Sequence, residues 1–469
     1  MRQHSKLTAL ISLVSLFFTW GFITVMNDIL VNTFQNLFHL SPTQRSLVQM
    51  SFFGAFFIVS LIYFLISSLS GKDPINKIGY NNGMIISLII TGIGCFSFYP
   101  AATFNSYGTF LAALFILATG VTLLQICSNP YAAIIGPPET ASSRLNLAQG
   151  FNSLGTTIGP IVGTLLIYQI FSDGIPTIES VSKTYLIYGF VFVAMAMLVK
   201  LAKMPSFSNN ESITAGFTIF KQRHLVLGII AIFFYVGSEV SVGTWIVELI
   251  KHKDIGGLPE NEASYYLSYF WGGLMIGRLM ASQSLKSDLA PVKKYLSMFV
   301  IAILVFVFIY FATAIKYIDG QFSLHLLALK DVYLYAFYIA LSIFAFFIGQ
   351  SKPARSLVVF SIVNIVLLST AMFSKGHLAM WSVLGSGLFF SIGWSNIFTL
   401  AIKDLGKYTS QGSSLLVMAI VGGAALPWIQ SHIIQSFNIQ TSYIVPVIGL
   451  LYITYYGWKG HQQLKQLKQ

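Results

Sequence analysis

Fourteen stretches of this chain are apolar for long enough to cross a lipid bilayer, and that repetition decides what it can fold into. A helix rises about 1.5 Å per residue, so covering roughly 30 Å of hydrocarbon takes about 20 residues. Runs of this kind occupy residues 8–34, 45–68, 79–100, 107–134, 145–171, 183–201, 224–250, 262–283, 292–314, 331–350, 355–373, 377–401, 411–434 and 441–458. Hydrocarbon holds no water to bond a free N–H or C=O, so each run has to be a helix. The expected fold is an all-α, polytopic membrane protein of about 14 spans. Charge points the same way. Only 9% of the 469 residues are Asp, Glu, Lys or Arg, against about 25% in a soluble domain. That is too little charge to cover a water-facing surface of this size.

The spans fall as six, a polar stretch at 202–222 that holds Lys203, Pro205, Asn209, Asn210, Glu211 and Lys221, and then eight. The basic residues test the topology. With the N-terminus inside, 19 of the 27 Lys and Arg lie in inside loops and tails and seven in outside loops, with Arg278 in a span. That bias supports a multi-pass protein of the plasma (inner) membrane with both termini cytoplasmic. Arg278 reads as lying near the inner end of its span, where it can snorkel. Arg2 and Lys6 imitate the start of a signal peptide, but the apolar run continues to about Met26 with no small-residue cleavage site, so it reads as a retained first span.

The net charge of +12 comes from residues placed singly at the ends of apolar runs. No basic patch for nucleic acid forms from them. Cys95 and Cys127 both lie inside apolar runs, which argues against a disulfide framework or a metal site. No glycine-rich phosphate loop, Ser-His-Asp arrangement or His-rich motif is present. ATP-driven transport within the chain, enzymatic chemistry and a resident cofactor are therefore not expected. Gly155, Gly159 and Gly163 share one helix face, as do Gly273 and Gly277, which indicates close helix packing.

Ionisable groups within spans cost several kcal/mol unless they meet a cavity or a partner, so the few present are informative. Asp28 sits in the first span beside Asn27, and Glu239 near the middle of the seventh. Apolar surroundings penalise the charged form of a carboxyl, so such a group can exchange a proton at physiological pH. Both are candidates for cation coupling; the plainer reading is an acid satisfied by neighbouring polar groups. Gln125 and Asn129 lie four apart on the fourth span, and Asn146, Gln149 and Asn152 recur every three on the fifth. Amides both donate and accept, which suits an uncharged, polyhydroxylated ligand. Interhelical hydrogen bonding is the alternative role, and for Asn129, next to Pro130, a cap on a helix break is favoured. Trp20, Trp245, Trp394 and Trp428 could stack on a sugar face or fill space. Trp394 is the most interesting of them, because Ser395 and Asn396 follow it inside an apolar span.

At these residues the chain resembles the fucose permease type of sugar–proton symporter within the major facilitator superfamily. The matching stretches are Asn27-Asp28-Ile29-Leu30, Phe98-Tyr99-Pro100-Ala101-Ala102, Ser128-Asn129-Pro130-Tyr131 and the long run from Arg144 to Gly155. Tyr235 to Ser241, Trp271 to Arg278 and Gln411-Gly412-Ser413-Ser414 match in the second half. The resemblance implies two six-helix bundles, a central cavity and alternating access. It implies proton coupling at Asp28 and sugar binding at Gln149 and Asn152, with fucose, galactose, glucose and related sugars as the substrate class.

Three departures stand out. Gln125 occupies the place of a fourth-span glutamate that works with the first-span acid, and an amide cannot carry a proton. Gly393-Trp394-Ser395-Asn396-Ile397-Phe398 replaces the usual Met-Phe-Pro-Thr-Ile-Phe. The second half also holds two extra spans, so 292–350 reads as an inserted hairpin, expected at the periphery. The domain reading is then a bundle at 1–201, a cytoplasmic linker at 202–222, a second bundle at 223–291 and 351–459, the hairpin at 292–350 and a cytoplasmic tail at 460–469.

The expectation is a secondary active transporter, a symporter of a hexose-type monosaccharide and a cation. The cation is H+ or alternatively Na+, and no other cofactor is expected. Coupling falls to Asp28 and Glu239. The substrate falls to Asn27, Gln125, Asn129, Gln149, Asn152, Trp394 and Asn396. The expected partners are sugar and membrane lipid, with the chain a monomer. The alternatives are carriage of an amino sugar or short glycoside, sodium-coupled or uncoupled, and a non-transporting membrane sensor.

Overall fold

The structure, a computed structural model, describes residues 3–463 except 41, 203, 206, 208–212, 214, 287–288, 319–320 and 325. Lys203, Asn209, Asn210 and Glu211 of the linker and the tail residues 464–469 lie outside the described residues. Helices stand at all the positions read as spans. The first six are α1 (Gln3–Phe38), α2 (Pro42–Ser70), α3 (Tyr80–Phe96, resumed as Phe98–Phe104), α4 (Tyr107–Ile134), α5 (Ala141–Thr164, extended by a π-turn at Leu165–Ile170) and α6 (Ile178–Leu201). Then come α7 (Arg223–Lys251), α8 (Glu260–Ser284), α9 (Pro291–Ala314), α10 (Leu329–Gly349) and α11 (Pro353–Phe373). One span is shared by α12 (Gly376–Phe390) and α13 (Gly393–Ala401), the next by α14 (Thr409–Met418) and α15 (Gly422–Ser436), and α16 (Ile444–Tyr455) is last.

Among the described residues, 12 helices are long and apolar enough to cross a membrane. The two expected spans outside that set are α8, which carries Glu262, Arg278 and a run of serines and tyrosines, and the short α16. The helix starts follow local rules. Pro42, Pro291 and Pro353 open α2, α9 and α11, where a missing N–H leaves nothing unpaired. Thr177 and Ser180 cap each other's backbone N–H at the start of α6. One feature departs from an all-helical reading: Ile315–Ile318 (β1) and Gln321–Leu324 (β2) pair antiparallel between α9 and α10.

The helices pack as two compact units. Unit 1 comprises Met1–Ile135, Leu154–Ile219 and Asp404–Val421; unit 2 comprises Gly136–Ser153, Phe220–Lys403 and Gly422–Gln469. Each unit therefore takes in a segment from the other half of the sequence, which a division at the linker does not anticipate. In unit 1, Gln411 on α14 donates to Ser67 Oγ (3.1 Å) and Ser68 Oγ (2.7 Å) at the end of α2. In unit 2, Ser143 at the start of α5 donates to Ser282 O (2.5 Å), and Ser142 shares a hydroxyl bond with Thr399 (2.6 Å).

Unit 1 is centred on aromatic packing, with Phe98 and Tyr185 stacked at 3.8 Å and 8°. Gly155 and Gly159 let α5 approach α1 so closely that a Cβ at either would run into the backbone of Phe18 or Phe22 or the side chain of Val25. The glycine face read from the sequence is thus a helix contact.

In unit 2 the span shared by α12 and α13 is the most enclosed, with 89% of its apolar window buried, whereas α9 has 17%. An apolar helix so bare needs lipid around it. The sequence alone suggests the periphery for both α9 and α10, and the two differ in how far they are bare. α10 packs inward: Tyr335 and Tyr338 are buried, Tyr335 donates to Tyr269 O (2.7 Å) on α8, and Tyr338 shares a bond with Ser382 (3.1 Å) on α12. The ring of Tyr335 also meets Trp381 at 5.9 Å. Tyr335→Ala should therefore lower the stability of the detergent-solubilised protein by about 3 kcal/mol, the range for removing a buried aromatic ring. Leu304→Ala on the bare face of α9, where Leu304 is 63% exposed, should leave the melting temperature almost unchanged.

Candidate functional site

In unit 1, α1 presents Asn27 and Asp28 toward α2. Gln49 on α2 stands between them. Asn27 Nδ2 donates to Gln49 Oε1 (2.7 Å), and Gln49 Nε2 donates to Asp28 Oδ1 (2.9 Å). An ionised carboxylate only accepts, so it fixes which way the Gln49 amide points. Asn27 is buried and its Oδ1 has no partner. Asp28 stays exposed although it lies mid-span. Among the described residues no ion pair involves it. Gln49 escaped the sequence reading; its signal was a single amide in the apolar run Val48-Gln49-Met50.

Gln125 and Asn129, also in unit 1, are buried within α4. Asn129 Nδ2 bonds the carbonyl of Gln125 one turn back (3.0 Å). Pro130 has no N–H, so the carbonyl of Ile126 loses its helical partner. Ser413 on α14 donates to that carbonyl at 3.1 Å. The helix runs on through Pro130 to Ile134, with the one freed acceptor satisfied in this way.

Unit 1 also holds an acid outside the spans that the sequence reading did not single out. Asp73 caps the short helix Pro74–Ile78 through the N–H of Asn76 (3.0 Å) and accepts from Tyr63 (2.7 Å). Burial pushes its carboxyl above the ordinary aspartate value, opposed by those two hydrogen bonds. The side chain of Asn76 then donates to Lys407 O (2.7 Å), beside α14.

In unit 2, Gln149 and Asn152 lie on the first half of α5 and are largely buried. One turn before them, Asn146 donates to Asn396 Oδ1 (3.2 Å) on α13, and Asn396 donates to Pro353 O (3.2 Å). Asn396 is fully buried and tied into the packing. Its neighbour Trp394 is buried and stacks on Phe398 at 5.9 Å. Both sit just past the break at Ser391–Ile392, where one span divides into two helices.

Glu239 has a partner that the sequence reading placed elsewhere. Arg278 does not snorkel to a span end. It is 8% exposed, and its guanidinium lies 3.8 Å from Glu239 Oε2. It donates to Ser391 O (3.3 Å) and to Ser153 Oγ (2.7 Å), while the hydroxyl of Tyr235 bonds Glu239. Gly277 explains the reach: a side chain there would collide with Ser391, so α8 and the end of α12 can approach. A carboxylate opposite an arginine has its charge balanced inside the protein, unlike Asp28. Arg278→Met should cost about 3–5 kcal/mol, because it strands a buried carboxylate. The double variant Glu239→Gln/Arg278→Met should recover most of that loss in the same thermal unfolding measurement.

Comparison with known proteins bears on what such helices serve. Residues 8–349 match the model of the Major Facilitator Superfamily. The chain belongs to this superfamily. It is 38% identical to the glucose/galactose transporter of Brucella abortus, over 96% of this chain and 94% of that one. It is 34% identical to the putative glucose/galactose transporter of Helicobacter pylori, over 99% of both, and 25% identical to the L-fucose-proton symporter of Escherichia coli, over 93% of this chain and 89% of that one. Among solved structures it resembles a Major Facilitator Superfamily transporter, FucP, crystallised in the outward conformation. The TM-score is 0.74 at 24% identity, covering 98% of this chain and all of the other, which supports the fold. The chain is thus a multi-pass membrane protein of a transporter superfamily.

Proposed function

We propose that this chain is a sugar transporter that carries a hexose-type monosaccharide together with a proton, by alternating access, as a monomer in the plasma membrane with both termini cytoplasmic. The observation that supports the coupling part is Asp28, an accessible carboxyl within a span that forms no ion pair among the described residues and is bonded to Gln49 and through it to Asn27. Protonation adds an O–H donor to a carboxyl that otherwise only accepts. The Gln49 amide is then no longer held to one orientation, and Asn27 no longer has a fixed acceptor. Proton binding at Asp28 would thereby change the polar groups that unit 1 offers to a sugar.

Gln125, where the resemblance expects an acid, cannot take part in proton transfer, so this reading gives Asp28 the main role. Glu239 has Arg278 as counter-charge and enters only as a secondary coupling candidate. Gln149 and Asn152 remain the proposed sugar ligands in unit 2. Asn129 and Asn396 are already engaged in helix packing and contribute to the shape of the site. Relatives named for glucose and galactose support the substrate class. Alternating access needs contacts that can be made and broken. The start of α5 and α14 are held by discrete hydrogen bonds, which suit that demand better than interlocked apolar packing.

Asp28→Asn in proteoliposomes should abolish accumulation of glucose or galactose driven by an inward proton gradient while sparing exchange of labelled sugar across the membrane. Normal accumulation by this variant, or accumulation driven by a sodium gradient alone, would refute the coupling assignment. Gln149→Ala and Asn152→Ala should each weaken sugar binding about tenfold, the effect of losing one hydrogen bond of about 1.4 kcal/mol. Unchanged dissociation constants in both variants would move the sugar site elsewhere.

A further inference from the structure

The inserted hairpin and α8 enclose a cavity of about 80 Å³ inside unit 2. Its walls are Glu262, Tyr265, Tyr266 and Tyr269 of α8 with Tyr310 and Thr313 of α9. None of these residues belongs to the candidate transport site. The cavity lies where α8 begins and α9 ends, at the membrane side marked by the β1–β2 ribbon.

The cavity has a definite polarity. Tyr269 is 1% exposed, and among the described residues its hydroxyl makes no close hydrogen bond, only a looser approach to Thr313. Its backbone carbonyl is taken by Tyr335 (2.7 Å), and its ring is clamped between Tyr335 at 5.3 Å and Trp381 at 5.5 Å, so the phenol cannot swing away to find one. Across the cavity, Thr313 gives its hydroxyl to Tyr310 O (3.2 Å) and Tyr310 gives its own to Leu327 O. Glu262 is exposed at the wall, and among the described residues no cation pairs with it. Among the described residues, no Lys, Arg or His lines the space. Tyrosine faces carry the negative side of the ring quadrupole, and a carboxylate offers only acceptors.

The geometry points to a binding site for a small organic cation, an alkylammonium head held by the tyrosine walls and Glu262. A volume of about 80 Å³, roughly half that of a cavity that takes a benzene, admits a compact ammonium head and excludes a whole hexose. A bare metal ion is a poor fit, since one carboxylate and one phenol fall short of the six or more oxygens that a hard cation takes. The hydroxyl of Tyr269 keeps a lone pair that can accept from an N–H of a primary ammonium. The same head occurs on free amines and on phospholipids, and the position at the end of two spans is open to either.

Isothermal titration of the purified full-length protein in detergent, with propylammonium, tetramethylammonium and glucose as separate probes, tests the assignment. Saturable binding of the ammonium ions at millimolar concentration is expected. Glu262→Gln, an exposed substitution that should not disturb folding, should weaken both about tenfold. Tyr269→Phe keeps the ring and should weaken propylammonium alone. Absence of saturable binding, or binding indifferent to Glu262→Gln, would overturn the proposal. So would a glucose signal that Glu262→Gln abolishes. Repeating the titration in nanodiscs separates the sources. Free cation excluded by phosphatidylethanolamine but not by phosphatidylglycerol identifies the lipid head as occupant; equal binding in both identifies a free amine.

Discussion

A bilayer offers no water to a polar group, and every notable arrangement in this protein answers that deficit. The backbone meets it by forming helices. Where a helix cannot supply its own partner, a neighbour does. The carbonyl of Ile126, freed by Pro130, is taken by Ser413. Arg278 finds Glu239, Ser153 and Ser391 within the packed unit. These bonds tie particular helices together, so satisfying local polarity also settles which segments associate. That is how α14 joins unit 1 and the start of α5 joins unit 2.

Seen against this background, the exceptions carry the functional argument. Asp28 is an accessible carboxyl without a counter-ion among the described residues, in a region where such a group is expensive. Asn27 beside it and Tyr269 in unit 2 keep buried polar atoms without close partners. They are two among several buried polar side chains left unmet among the described residues, and each such group is a place where a proton, a sugar hydroxyl or an ammonium N–H can be gained. The contrast between Asp28 and Glu239 is instructive, since the two looked alike as acids in apolar runs. Arg278 separates them: one charge is balanced within the protein and the other is left for the solvent or a ligand to balance.

The pair α9 and α10 divides in a similar way. Both of its helices are apolar, and both read as lipid-facing additions. Tyr335 and Tyr338 of α10 build that helix into the aromatic core of unit 2, whereas α9 keeps a broad bare face. A tyrosine in an apolar run has an amphipathic reading at the membrane interface and a packed reading in the interior. Which one applies depends on whether a neighbour offers an acceptor, and here the backbone carbonyl of Tyr269 does.

Much was legible without coordinates. Apolar run lengths determined the helices, their number and the membrane setting, because hydrocarbon thickness and backbone hydrogen bonding leave one solution per run. Glycine spacing determined where helices come close, and intramembrane acids and amides marked the residues worth attention. Pairing was beyond reach. Gln49 between Asn27 and Asp28, Arg278 against Glu239, Asn146 with Asn396 and Gln411 with two serines join residues from about 20 to about 340 positions apart. A helical period says which face a residue occupies and nothing about which other helix meets that face. That choice is made by side-chain volumes and polar complementarity across the packed bundle, and only the tertiary structure contains it.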